Sequence, residues 1–288
     1  MAEVFIGTSG FSYPHWGSDV FYPKGLPELR WFEYYTQHFN SVELNVSFYR
    51  LPKKETFAAW RKTAGENFVF SVKGSRFITH IKRLKDYREP LENFFKAAQG
   101  LKWEVGDGKL ENEVGSESLE NQDITPQNPA SHLSSLTSKH VILWQLPPNL
   151  KQDIRRLEEF LSEVRPPGRS DLLGKPRLTW RHAFEFRHES WVDGQTWEVL
   201  RKHKAAVVFQ DWPEWPITRE VTADFVYLRF HGNRELYSSN YKDEELKVWA
   251  KKIGEWLGQG RDVYIYFNND AQGFATANAL TLKELVEK

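Results

Sequence analysis

SVELNVSFYRLP, residues 41–52, reads as a strand whose two faces disagree. Val42, Leu44 and Val46 suit a pleated, buried surface. Glu43 and Asn45 stand between them, and alternation along a strand sends that pair to the opposite face. A carboxylate buried without a partner costs several kcal/mol. This face must therefore meet polar groups from elsewhere in the chain, and the fold has to be one that supplies them.

Working outward, seven more short runs rich in Val, Ile, Phe and Tyr accompany Val42–Val46. They are Val4–Thr8, Phe68–Lys73, Val141–Leu146, His182–Arg187, Ala206–Asp211, Phe225–His231 and Val263–Asn268. Amphipathic stretches separate them at Leu26–Phe39, Lys53–Thr63, Pro90–Gln99, Lys151–Val164, Thr196–His203, Asp243–Leu257 and Gly273–Glu287. The sixth connection, WPEWPITREVTAD, is too short and proline-rich for a good helix. Strand–helix alternation predicts a parallel sheet, and eight repeats in 288 residues predict a single-domain (β/α)8 barrel of the TIM type over 1–288. An open doubly wound sheet is the alternative, but no GxGxxG follows the first strand. Leu101–Ser138 breaks the rhythm: polar, acidic and aperiodic, it reads as a flexible insertion between the third helix and the fourth strand. That places it at the N-terminal end of the barrel, away from the end where barrel sites form.

In a closed barrel one strand face looks at the axis and the other at the helices. The polar set of each strand should be axial. Glu43 and Asn45 then share an address with Lys73, Gln145, Glu185, Arg187, Asp211, Arg229, His231 and Asn268, all at the C-terminal ends of their strands. Such groups could merely satisfy one another, Glu43 with Arg229 or Glu185 with Lys73. So many on one face at one end favour a ligand site. The loops above carry Tyr13 and Trp16, then Tyr49 and Arg50, then a basic run holding Arg76, His80, Lys82, Arg83, Lys85 and Arg88, and finally Tyr237. Basic groups interleaved with aromatics suit a phosphate-bearing, stacked ligand such as a nucleotide or single-stranded nucleic acid.

Composition narrows the classes. Lys plus Arg and Asp plus Glu each number 39, so no global field draws the chain to polyanions. With no cysteine, disulfides and thiolate metal sites are excluded, which fits a cytoplasmic or other intracellular reducing compartment. The amino-terminal MAEVFIGTSG lacks the pattern of a signal peptide, and no apolar run approaches the ~20 residues of a membrane span. The expectation is a soluble protein with no membrane or protein partner. His15, His80, His188 and His231 could approach Glu43, Glu185 and Asp211, but there is no HxH or HExxH, and axial cations would repel a metal. No cofactor is expected. Two axial carboxylates also suit a glycoside hydrolase, although neighbouring cations disfavour a protonated general acid.

GTSGFSY with Trp16, VELNVSFYRLP, FSVKGSRFITH, WQLPPNL, EFRHESW, YLRFHG and FNND together resemble the YecE-like family, domain of unknown function 72, in order along nearly the whole chain. The resemblance implies a TIM-type barrel and marks Glu43, Asn45, Tyr49, Arg50, Lys73, His80, Gln145, Glu185, Arg187, Asp211, Arg229, His231 and Asn268 as signature positions. It also implies a distant similarity to the barrel of endonuclease IV, and hence a DNA-binding or nuclease-like role. This sequence lacks that enzyme's histidine-rich ligand set for three metals. The expected roles follow from residue type. Glu43 or Glu185 is the general base and His231 the acid or orienter. Lys73, Arg187 and Arg229 hold anionic oxygens. Asn45, Gln145 and Asn268 fix orientation, and Tyr13, Trp16 and Tyr237 stack on the ligand.

Overall fold

The computed structural model describes residues 1–101, 139–164, 180–213, 215–216 and 220–287. Eight parallel strands form a near-closed barrel: β1 (Val4–Thr8), β2 (Ser41–Leu44), β3 (Val69–Lys73), β4 (Val141–Gln145), β5 (Arg181–Glu185), β6 (Ala206–Asp211), β7 (Phe225–Phe230) and β8 (Asp262–Phe267). The order around the barrel is β1, β8, β7, β6, β5, β4, β3, β2. Helices α1 (Trp31–His38), α2 (Val46–Tyr49), α3 (Lys54–Ala64), α4 (Arg88–Ala98), α5 (Ile154–Val164), α6 (Gly194–Lys202), α7 (Asp243–Gly258) and α8 (Phe274–Glu287) accompany the strands. Among the described residues the sixth connection holds no helix, as its prolines suggest. Of the expected insertion, Leu101 closes a short helical turn and is buried, while 102–138 lie outside the described residues.

Local signals set the helix ends. Asp193 accepts the Gln195 amide at 2.9 Å and caps α6. Glu245 reaches back to the Lys242 amide at 2.7 Å at the start of α7. Gly65, at φ 78°, stops α3 in the left-handed region that glycine enters at little cost. The outer strand faces carry Val42, Leu44, Phe70, Val72, Trp144, Phe184, Leu228 and Ile265 against the helices. Each large side chain buried there contributes roughly 2 kcal/mol.

The weakest seam lies between β1 and β2, where the backbone pairing is a single bridge from Ser9 to Glu43. Side chains complete it. The Asn40 carboxamide accepts the Ile6 amide at 2.9 Å and donates to the Val4 carbonyl at 2.8 Å, as a peptide group would. The Tyr35 hydroxyl accepts the Thr8 amide at 2.9 Å and donates to the Ser41 carbonyl at 3.0 Å. Gly7 permits the approach, because a Cβ there would collide with the Ser41 carbonyl oxygen.

One boundary departs from the sequence reading. β2 stops at Leu44, and Asn45 stands at the N-terminal boundary of the one-turn α2 without a side-chain capping bond, leaving Val46 45% exposed. The chain turns off the barrel at its mouth, so Val46 never reaches the helix layer.

Candidate ligand site at the barrel mouth

The barrel axis is apolar below and charged above. Phe5, Val69, Val141, Leu143, Val208 and Phe225 fill its lower part. Tyrosine hydroxyls make the transition. Ser41 gives its one proton to the Val69 carbonyl, so Tyr266 donates to Ser41 Oγ, 2.6 Å away. Tyr227 donates to Glu43 Oε2 at 2.7 Å and accepts from Ser71 at 2.6 Å. Burial raises both phenols well above their ordinary pKa, so they remain neutral donors.

Above them Arg229, 1% exposed, joins two strands' carboxylates. Its Nη2 donates to Glu43 Oε1 at 2.7 Å and its Nη1 to Glu185 Oε2. Ser9 donates to Glu43 Oε1 at 2.6 Å, so both oxygens of Glu43 are engaged. The other oxygen of Glu185 is in ion-pair contact with Arg187. Burial alone would raise the Glu185 pKa, but Arg187 and Arg229 outweigh it and hold the carboxyl well below its usual range. Burial likewise opposes charge on Arg229, and Glu185 and Glu43 reverse that effect. An ion cluster sealed this fully is tolerable only because its members meet one another.

This geometry corrects three expected roles. Neither carboxylate is poised as a general base, since both Glu43 oxygens already accept hydrogen bonds, three in all, and Glu185 is held ionised by two guanidiniums. His231 is a poor acid. Burial, then Arg229, lowers its pKa to about 3, so the ring is neutral. Its two nitrogens are already in contact, Nε2 with Arg187 at 3.2 Å and Nδ1 with the Asn268 amide nitrogen at 3.1 Å. His231 is therefore a neutral contact of Arg187 and not a ready proton donor. Lys73 does not pair with Glu185; arginines do.

Two further residues lie elsewhere than expected. Asp211 was read as axial with Val207 and Phe209, but those two face the helices while Ala206 and Val208 face the axis. Gln210 is therefore the axial residue, donating to the Phe186 carbonyl at 2.7 Å. Asp211 turns outward to Tyr241, and burial raises its pKa. Trp16 is fully buried and offers no stacking face. It packs on Tyr13, with centroids 4.8 Å apart, and donates to Asp270 at 2.5 Å. The first loop folds back as core, with Tyr22 stacked on Trp31 at 4.5 Å.

The remaining residues frame the opening. Lys73 ends β3 with its Nζ 4.4 Å from the centre of the Phe48 ring and is 9% exposed. No carboxylate among the described residues lies within ion-pair distance of it. Burial first, then Arg229 and Arg187, lower its pKa to about 8 against the pull of Glu43 and Glu185. His80 sits on a π-helical turn, Phe77–Ile81, a wound-out geometry frequent at functional sites. Its ring meets the same Phe48 edge-on at 4.9 Å. Burial, then Lys73, lower its pKa to about 4. Asn45 Oδ1 and Arg187 Nε are buried and unpartnered. Gln145 ends β4 in register with Glu185. Tyr13 donates to the Ser9 carbonyl at 2.5 Å, and burial, then the Asp270 charge, push its pKa up to about 12. Tyr237 is 43% exposed above His231, whereas Tyr49, 79% exposed, and Arg50 stand on the rim outside the axial cluster.

Sequence reasoning missed Ser9, Phe48, Gln210, Trp212 and the role of Tyr227. Trp212 underlies Arg187, whose guanidinium carbon is 4.0 Å from the ring centre. Tyr227 could have been found, because it precedes Arg229 on the same strand face. The sixth strand gave no such signal: both of its faces are apolar, so parity alone could not separate Gln210 from Asp211. The histidines do not converge. His15 meets Asp270 and His188 caps its own turn, and among the described residues no cluster of three His, Asp or Glu side chains could hold a metal.

The family described as "Protein of unknown function DUF72" matches residues 5–112 and 115–288. The chain belongs to the DUF72 family. Among DUF72-type relatives, the UPF0759 protein YunF of Bacillus subtilis (strain 168) is 24% identical over 99% of this chain and 95% of its own. The UPF0759 protein YecE of Escherichia coli (strain K12) is 24% identical over 88% of this chain and 82% of its own. The crystal structure of a DUF72 protein from Thermotoga maritima MSB8 superposes with a TM-score of 0.73 at 29% identity, covering 99% of this chain and 100% of that one. A DUF72 structure from Enterococcus faecalis V583, at 18% identity and a TM-score of 0.70, shares the fold. Among the described residues no helix is long and apolar enough to cross a membrane.

Proposed function

We propose that the barrel mouth binds a phosphate-bearing anion, as a free small molecule or as part of a nucleic acid. The observation that carries this reading is an excess of cations. Two axial carboxylates, Glu43 and Glu185, face three axial cations, Lys73, Arg187 and Arg229, and among the described residues Lys73 has no carboxylate partner. Arg187 Nε is a buried donor without a hydrogen-bond partner among the described residues. Arg50, Arg76, Lys82, Arg83 and Lys85 extend the positive field along the rim, opposed by Asp86. A phosphate would complete the charge balance that the protein leaves open.

Hydrolysis finds less support than binding, because the carboxylates expected to act as bases are engaged. The same pairing weighs against a glycosidase, which needs one of its two carboxyls protonated. Titration with inorganic phosphate, adenosine monophosphate and a short oligothymidylate, at low and physiological salt, tests the proposal. Binding should weaken steeply with salt, and Arg187→Met, which leaves Glu185 its bond to Arg229, should weaken it by about tenfold or more. Tighter binding of the oligonucleotide than of the monophosphate favours nucleic acid; the reverse favours a small ligand. Affinity indifferent to both salt and Arg187 would overturn the proposal.

A further inference from the structure

We infer that Lys73 is an amine nucleophile that forms an imine with a carbonyl compound held at the barrel mouth. This goes beyond anion binding; it borrows that reading only for the choice of a phosphate-bearing aldehyde as probe. Lys73 differs from the other cations of the cluster. Arg229 holds two carboxylates and Arg187 one, while the Lys73 ammonium has no hydrogen-bond acceptor or carboxylate partner among the described residues. Its position is nevertheless defined. The Lys73 carbonyl accepts the Ser47 hydroxyl at 2.7 Å, and the Phe48 ring supports Nζ from one side. A buried amine beside two guanidiniums is the arrangement that favours the neutral, nucleophilic form.

A neutral histidine shares that Phe48 support. Thr79 Oγ1 lies 3.1 Å from the Ser75 carbonyl oxygen and 2.9 Å from His80 Nδ1, which fixes the ring's orientation. Burial, then Lys73, keep the ring neutral, and it packs on the same Phe48 as the amine. In the proposed step the neutral Lys73 amine attacks the carbonyl carbon and a C–N bond forms. The nitrogen loses one proton and the carbonyl oxygen gains one, giving a carbinolamine. The nitrogen's second proton passes through solvent at the mouth to the hydroxyl, which leaves as water, and a C=N bond remains. Amine plus carbonyl gives imine plus water, with no oxidant or reductant. The other charged groups facing Lys73 are Glu43, Glu185, Arg187 and Arg229.

The test incubates the intact protein with limiting pyridoxal 5′-phosphate and cyanoborohydride, then maps modified lysines by peptide mass spectrometry. Pyridoxal, which lacks the phosphate, runs in parallel. Lys73 should be labelled at least about tenfold faster than exposed lysines near neutral pH, with a rate that rises through pH 8. Lys73→Arg should retain the fold by thermal melting and lose the adduct; should that variant not fold, the wild-type map decides alone. Equal labelling of Lys73 by pyridoxal and its phosphate would uphold the amine while removing the anion reading. Protection by inorganic phosphate of rim lysines, with Lys73 unlabelled, would leave anion binding standing and overturn this inference. Labelling of Lys73 no faster than that of exposed lysines overturns it as well.

Discussion

At the scale of single residues, Arg229 decides how the mouth is organised. Its guanidinium joins carboxylates from β2 and β5 across the axis. Removing it would leave Glu43 and Glu185 buried beside each other without their shared cation. Arg229→Met should therefore cost about 3–5 kcal/mol of stability, measured as a lower urea midpoint with an unchanged slope. A loss below about 1 kcal/mol would mean that the carboxylates find other partners or take up protons. Much of this was legible beforehand, because strand parity put Glu43, Glu185 and Arg229 on one face. The engagement of both carboxylates was not legible, since it depends on whether two strands bring their oxygens within reach of one guanidinium.

At the scale of elements, the β1–β2 seam is where the barrel is held by side chains. The Tyr35 hydroxyl substitutes for a missing ladder bond. Tyr35→Phe keeps the ring packing but orphans the Thr8 amide and the Ser41 carbonyl, both buried, at a cost of about 1–3 kcal/mol. Amide hydrogen exchange at Thr8 should quicken well before global unfolding. Uniform exchange through β1 and β2 in the variant would show that the seam does not depend on this contact. The alternation of strands and helices was plain in the sequence, but the seam was not. Asn40 and Tyr35 lie in and after α1, a stretch that reads only as an amphipathic helix and its end.

At the scale of the whole molecule, pH should act through histidines before carboxylates. His231 and His140, each lowered to about 3, and His80, lowered to about 4, are all depressed chiefly by burial. The unfolded chain binds protons at these rings below about pH 6.5 while the folded chain does not. Stability should fall as pH drops from about 6.5 towards 4, by up to about 1.4 kcal/mol per pH unit for each histidine. Below the ordinary carboxyl range Glu185, whose folded pKa is depressed, adds its own loss. Urea melts across this range check the slope, and His80→Gln should flatten it. A stability profile level down to about pH 5 would contradict burial of neutral histidines.

The sequence by itself determined a parallel sheet flanked by helices, because eight apolar runs alternate with amphipathic segments, and the count of eight with no GxGxxG favoured a closed barrel over an open doubly wound sheet. It also determined that Glu43, Lys73, Glu185, Arg187, Arg229 and His231 share one end of that barrel, because alternation is a local property of each strand. Tertiary structure alone decided which of those groups spend their charge on one another and which remain open. Asp211 facing the helices, Trp16 buried in its loop and Lys73 without a carboxylate partner among the described residues follow from register, loop packing and distances between strands far apart in the chain. Ion pairing falls off over a few ångströms, so no pattern along a single strand encodes it.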